Sequence, residues 1–180
     1  MEDYIAQAWY LLENRTPLPA DCGRVCGRAC CRGSAREKRG MRLFPGEQER
    51  LKDGFSLYSA ADGGVLAVCG EKDGRGHCDR SRRPLACRLF PLFPHLDEEG
   101  RIRAVYDPRA WRVCPLVREH ARVPLNREFV RAVRTVGRLL TQDEDCRRFL
   151  REQSREIEEV NRFLRLHEAR APICRKAVRR

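Results

Sequence analysis

Apolar residues recur along this chain at two different periods, and the change of period separates its parts. Ile5, Ala8, Trp9 and Leu12 fall at steps of three and four, which predicts a short amphipathic helix over residues 3–13 that stops before Pro17. Pro17 and Pro19 then lead through an extended stretch into a loop punctuated by Gly23, Gly27 and Gly33, residues that permit tight turns. Residues 34–40 are small and charged. Leu43 to Leu51 predict the start of a helix, with Glu47 and Glu49 in its first turn near the positive end of the dipole. Short apolar runs at Phe55–Tyr58 and Val65–Val68 flank a turn through Asp62, Gly63 and Gly64, so a hairpin is expected there. A second hairpin is expected from Leu92–Leu96 and Ile102–Tyr106 around Asp97–Gly100. Between the two, Pro84 can open a helical turn that Pro91 ends.

From Pro108 the period becomes helical again, through Trp111, Cys114 and Val117, and Trp111 is assigned to the core. Beyond Val123 and Pro124, Asn126 can cap a helix striped by Phe129, Val133, Val136 and Leu140. Thr141 and Glu144 have capping-box spacing ahead of a last helix whose apolar face is Phe149, Leu150, Ile157, Val160 and Leu164. The expected fold is α+β: a small, irregular, cysteine-rich metal-binding domain with short β-hairpins over residues 1–123, and a C-terminal helical hairpin packed on it over residues 124–180. The tail from about residue 171 is expected to fray.

Composition changes this picture in two ways. Ten cysteines in 180 residues need an account, and the choice is between disulfides and metal. The acidic opening of the chain carries no basic and apolar leader of a secretory signal, and no run of eighteen apolar residues could span a bilayer, so a cytoplasmic protein without a membrane partner is expected. In a reducing compartment clustered thiols are ligands rather than bridges. The formal charge of +11 is carried almost wholly by arginine, only Lys38, Lys52, Lys72 and Lys176 being lysines. Such charge permits a nucleic-acid partner without specifying one. A basic nucleic-acid-binding module with structural zinc is therefore the alternative reading. Against it, the aromatics coincide with apolar stripes and proline turns, and the last helices mix acids with their arginines.

Eight cysteines are the candidate metal ligands. Cys22, Cys26, Cys30 and Cys31 crowd into ten residues, and Cys69, Cys78, Cys87 and Cys114 each stand at a turn or near a proline. A thiolate is soft and charged, and four of them satisfy zinc or iron in a tetrahedral cage. The eight are compatible with two mononuclear sites, one iron–sulfur cluster with spare thiols, or one cluster and one zinc. Adjacent Cys30 and Cys31 leave the backbone in different directions, so one of them serves a second centre or remains a redox-active thiol. Arg24, Arg28, Arg32, Arg82, Arg83 and Arg88 interleave with these cysteines and can offset thiolate charge. His77 is expected to support the site or face solvent, while His95, His120 and His167 are structural or exposed. Cys146 and Cys174 are expected to be free thiols. No phosphate loop, nucleophile elbow or zinc-protease helix motif is present, so no reaction and no catalytic residue is assigned.

The order Cys22, Cys26, Cys30, Cys31, then Cys69, and then Cys78, Arg83, Pro84, Cys87 and Arg88 resembles the YkgJ-like cysteine-cluster family. The resemblance covers about residues 20 to 118. Its second half matches position by position. In the first half, three residues rather than two precede the cysteine pair. The resemblance implies a zinc- or iron-chelating domain, and its further likeness to a domain of flagellin lysine methylase is not joined here by any cofactor motif for methyl transfer.

Overall fold

A computed structural model describes residues 3–31, 40–51, 54–69, 80–118 and 123–170. Helix α1 (Tyr4–Leu11) starts where the Asp3 carboxylate accepts the Ala6 N–H at 2.9 Å, and it turns Ile5 and Ala8 inward. Helix α2 (Cys22–Val25) is a single turn in the cysteine loop. Strand β1 (Met41–Arg42) joins the hairpin of β2 (Phe55–Ser59) and β3 (Val65–Cys69) as a third antiparallel strand, in the order β1-β3-β2. Phe55 faces Cys69 and Ser59 faces Val65 across that hairpin, with Gly63 at φ +80° in its turn.

Helix α3 (Leu85–Leu89) follows Pro84, and a cis Phe90–Pro91 bond leads from it into β4 (Leu92–Leu96). β4 pairs with β5 (Ile102–Tyr106) from Leu92–Tyr106 to Leu96–Ile102. Helices α4 (Pro115–Arg118), α5 (Arg127–Leu140) and α6 (Glu144–Arg170) complete the order, so the chain is an α+β fold with small antiparallel sheets. All five residues of β4 are buried, which breaks the usual alternation of a half-exposed strand. The reason is that α5 and α6 both lie against it. Gly137 makes the α5 contact possible: a Cβ there would stand 2.7 Å from both Ile102 Cγ2 and Pro94 Cβ.

The main core draws on both sides of residue 124. Phe129, Val133, Val136 and Leu140 of α5 are fully buried, as the stripe requires, and they join Ile5, Ala8, Phe44, Leu85, Leu92 and Leu150 in one cluster. A smaller cluster forms around Ala110, Cys114, Leu116 and Val117. Helix α6 is also tied to the β4–β5 hairpin and to the turn that follows it by polar contacts. The Ser154 hydroxyl accepts the Leu96 N–H at 2.9 Å, His95 Nε2 meets Glu158 at 2.9 Å, and the Gln153 side-chain oxygen accepts from Arg109 at 3.0 Å.

Four local expectations are corrected. Asp143, not Thr141, caps α6, accepting the Cys146 N–H at 2.8 Å, while the Thr141 hydroxyl donates to Arg138 O at the end of α5. Thr141 is still closing the preceding helix, so it cannot open the next. Val160 is 43% exposed because the core ends near Ile157. Trp111 is 40% exposed on a 3₁₀ turn (Pro108–Arg112), where the tighter winding turns Ala110 inward instead. The segment after Leu43 forms a 3₁₀ turn (Glu47–Arg50) rather than a surface helix, and Glu47 is wholly buried. The predicted tail from residue 171 lies outside the described residues.

Glu47 is buried but not unsatisfied. Its carboxylate accepts from Trp9 Nε1 at 2.9 Å, from the Phe44 N–H at 3.1 Å and from the Leu85 N–H at the start of α3. Burial pushes its pKa up, and the three donors together with the Arg88 guanidinium act against that shift. Glu47→Ala would strand two buried backbone N–H groups and the half-buried indole N–H of Trp9, and we expect a loss of about 3 kcal/mol or more of folding stability. Urea unfolding measures it, and a change within about 0.5 kcal/mol, the usual effect of a surface substitution, would show that the carboxylate is dispensable.

Candidate metal centre

The first cysteine group is shaped by backbone hydrogen bonds that close a helical turn and then reverse it. Asp21 caps α2, its carboxylate accepting the Gly23 N–H at 3.2 Å, and Cys26 N donates to Cys22 O at 3.1 Å. Cys22 and Cys26 therefore stand one turn apart on the same side. Gly27 at φ +59° and Arg28 at φ +57° both take the left-handed conformation, and Arg28 N donates to Gly23 O at 3.0 Å, the six-to-one bond of a Schellman ending. Cys31 N then donates to Arg28 O at 2.9 Å within the 3₁₀ turn Ala29–Cys31, which returns the second pair of cysteines toward the first.

Two further segments bring sulfur to the same place. Cys87 lies on α3, whose first N–H is held by Glu47. Arg88 fixes the same helix: it donates to Arg83 O at 2.8 Å, Ser81 O at 2.7 Å and Trp9 O at 3.1 Å, and its guanidinium lies 4.7 Å from the centroid of Trp9. Cys114 is held at the start of α4, its N–H donating to Ala110 O at 2.7 Å.

Cys22, Cys26, Cys30, Cys31, Cys87 and Cys114 together line one narrow pocket, with Arg28 and Arg83 at its wall and Phe90 and Leu116 as apolar sides. The cavity is about 30 Å³, far below the roughly 300–1,000 Å³ of a site for an organic ligand. Six of the eight nominated cysteines thus come together. Cys69 ends β3 and does not line the pocket, and Cys78 lies outside the described residues. Among the described residues no three His, Cys, Asp or Glu side chains are arranged to hold a metal ion, so the sulfurs border the space without converging on one point.

Electrostatics agrees with this crowding. Burial first, then the charges of Cys30, Cys26 and Asp21, push the Cys22 thiol up to about 11, while Arg83 acts the other way. Cys114 is also raised, chiefly by burial, with Cys30 and Cys26 adding to the shift. A cation in the pocket would reverse both effects by favouring the thiolates. Arg83 is placed to act here, 3.6 Å from Asp21, whereas Arg24 and Arg82 are exposed and Arg32 lies outside the described residues.

The other nominated side chains fall elsewhere. Cys146 is a buried core thiol on α6, raised by burial and by its contact with Asp143, and has no place at the pocket. His95 is buried between β4 and α6, with Nδ1 lacking a hydrogen-bond partner among the described residues. His77, His120 and Cys174 lie outside the described residues, as does the side chain of His167. Sequence reasoning missed Glu47 as the support beneath Cys87. An acid after Pro45 and Gly46 reads as a surface helix start, and the indole that needs its oxygen is 38 residues away.

The thiolate is the nucleophile, so a raised pKa means slow alkylation at neutral pH and faster alkylation as pH rises. In chelator-treated protein we expect Cys22 and Cys114 to react with iodoacetamide more slowly than an unstructured thiol at pH 8, with Cys22 gaining rate up to about pH 11. Mass mapping of labelled peptides checks this, and equal labelling at pH 8 would contradict the burial assigned to them. No family model, no curated protein and no solved structure matches the chain.

Proposed function

We propose that this chain is a metal-binding protein whose clustered cysteine thiolates hold zinc or iron, an iron–sulfur centre included, as its resemblance to the YkgJ-like family implies. One observation carries the reading: among the described residues, six cysteines from three separate segments line one small pocket. The donor set fits such a group. Soft thiolates select zinc, copper(I) and iron centres over hard cations, and Arg28 and Arg83 at the wall offset the negative charge that four thiolates leave on a divalent ion. The group itself would supply a structural cross-link or, with iron, an electron-transfer centre. The chain's own residues set the approach: Glu47 and Arg88 hold α3, the left-handed turn at Gly27 and Arg28 folds back the loop, and Phe90 and Leu116 limit water.

The basic charge does not favour a nucleic-acid partner. Arg15, Arg42, Arg50, Arg101, Arg109 and Arg148 are each ion-paired with an acid, and these pairs lie on different elements rather than on one face. Among the described residues no helix is long and apolar enough to cross a membrane.

Protein purified without oxygen should carry zinc or iron, found by elemental analysis, with sulfur-to-metal charge-transfer absorption when the metal is iron. Chelation should remove both signals. Cys146→Ser should keep the full metal content, because that thiol is a core side chain with no place at the pocket. Metal-free protein with its pocket cysteines joined as disulfides would overturn the proposal.

A further inference from the structure

We infer that the groove between α1 and α5 is a docking surface for an amphipathic helix of another protein, one whose apolar stripe is flanked on one side by acids. The groove has a volume of about 590 Å³ and is lined by Tyr10 and Leu11 from α1 and by Thr135, Arg138 and Leu139 from α5. It shares no lining residue with the cysteine pocket.

Its two walls differ in charge. Helix α1 contains no charged residue, and it turns Tyr10 outward, 78% exposed. On α5, Arg131, Arg134 and Arg138 recur at steps of three and four, so they form one exposed stripe along the helix. Thr135 and Leu139 lie beside that stripe on the side of the groove. Among the described residues none of these three arginines is paired with an acid. A row of guanidinium groups beside an apolar wall suits a ligand that is apolar on one face and anionic on the next.

Charge also selects among occupants. The chain's own last ten residues carry Arg175, Lys176, Arg179 and Arg180, and a second copy placed face to face would set the same arginines against each other. Both would meet like charge. A small molecule would be poorly enclosed beside so exposed a Tyr10, since a ligand pocket buries about 70–90% of its guest. A nucleic acid gains from the arginines but not from Leu11 and Leu139, whereas a helix laid in the groove uses both walls.

The probe is a display library of helical peptides as long as α5, 14 residues, with an apolar stripe kept and the flanking positions randomised. The full chain is the bait, and selected peptides are measured by fluorescence anisotropy. They are expected to carry Asp or Glu along one flank. Arg131→Glu combined with Arg138→Glu should weaken their binding by about tenfold or more, and lysine in place of the peptide's acids should restore it. Tyr10→Ala should weaken binding several-fold while leaving its salt dependence unchanged. All three positions are exposed, so these variants should fold, which thermal unfolding checks; should one fail, the selected sequences decide alone. An empty selection, selected peptides without acids, or binding indifferent to the arginine variants overturns the proposal. So does an oligonucleotide that binds more tightly than the peptides and is lost with the same arginines, or a dimer in sedimentation that Tyr10→Ala dissolves.

Discussion

A carboxylate shut away from water holds this structure together. Glu47 accepts from the indole of Trp9, from the backbone of Phe44 and from the first N–H of α3, so one side chain joins three parts of the chain that are distant in sequence. A five-residue helix has no stability of its own. Its position must come from outside, and Glu47 supplies it at one end while Arg88, lying over Trp9 and bonded to three carbonyls, supplies it from within. Since α3 carries Cys87, the buried polar node and the sulfur pocket are two faces of one short element. A polar group that costs so much to bury without partners is also one that specifies where those partners must be.

What the sequence made legible was whatever repeats locally. The stripe of Phe129, Val133, Val136 and Leu140 names the inner face of α5 because helical geometry alone decides it, and glycine turns mark both hairpins because few other residues accept those angles. The clustering of Cys22 to Cys31 was equally plain. Other features depended on contacts between remote segments. Nothing near Glu47 announces that Trp9 and Leu85 will meet it, and Trp111 looked apolar enough for the core until a 3₁₀ turn gave that place to Ala110. Strand β1, two residues long, has too little pattern to be read at all.

The sulfurs themselves show the division. Proximity in sequence explains why Cys22 and Cys26 share a side of one turn, but Cys87 and Cys114 reach the same space only because the core first places α3 and α4 around it. The main hydrophobic core, in which Phe129, Val133 and Leu140 are fully buried, is built without the cysteines of the loop over residues 22–31. On such a framework the thiols are gathered by the fold itself, which would lessen the ordering that binding of any ion had to impose.

The three-stranded sheet occupies a different position in this economy of contacts. It is spliced into the chain between Cys31 and Cys87, and although Ala67 and Val68 are buried, they belong to neither of the two core clusters. Its cohesion comes from its own ladder, and it is tied to α6 at one edge, where Arg42 lies 5.7 Å from the centroid of Phe149, the ring on which neighbouring Phe44 packs. Such a unit can open and close as a separate cooperative piece while the helices behind it stay shut. The sheet therefore meets the helices through one edge, where β1 lies against α3 and Arg42 lies over Phe149, and its amide protons should exchange with solvent earlier than those at the centre of α5.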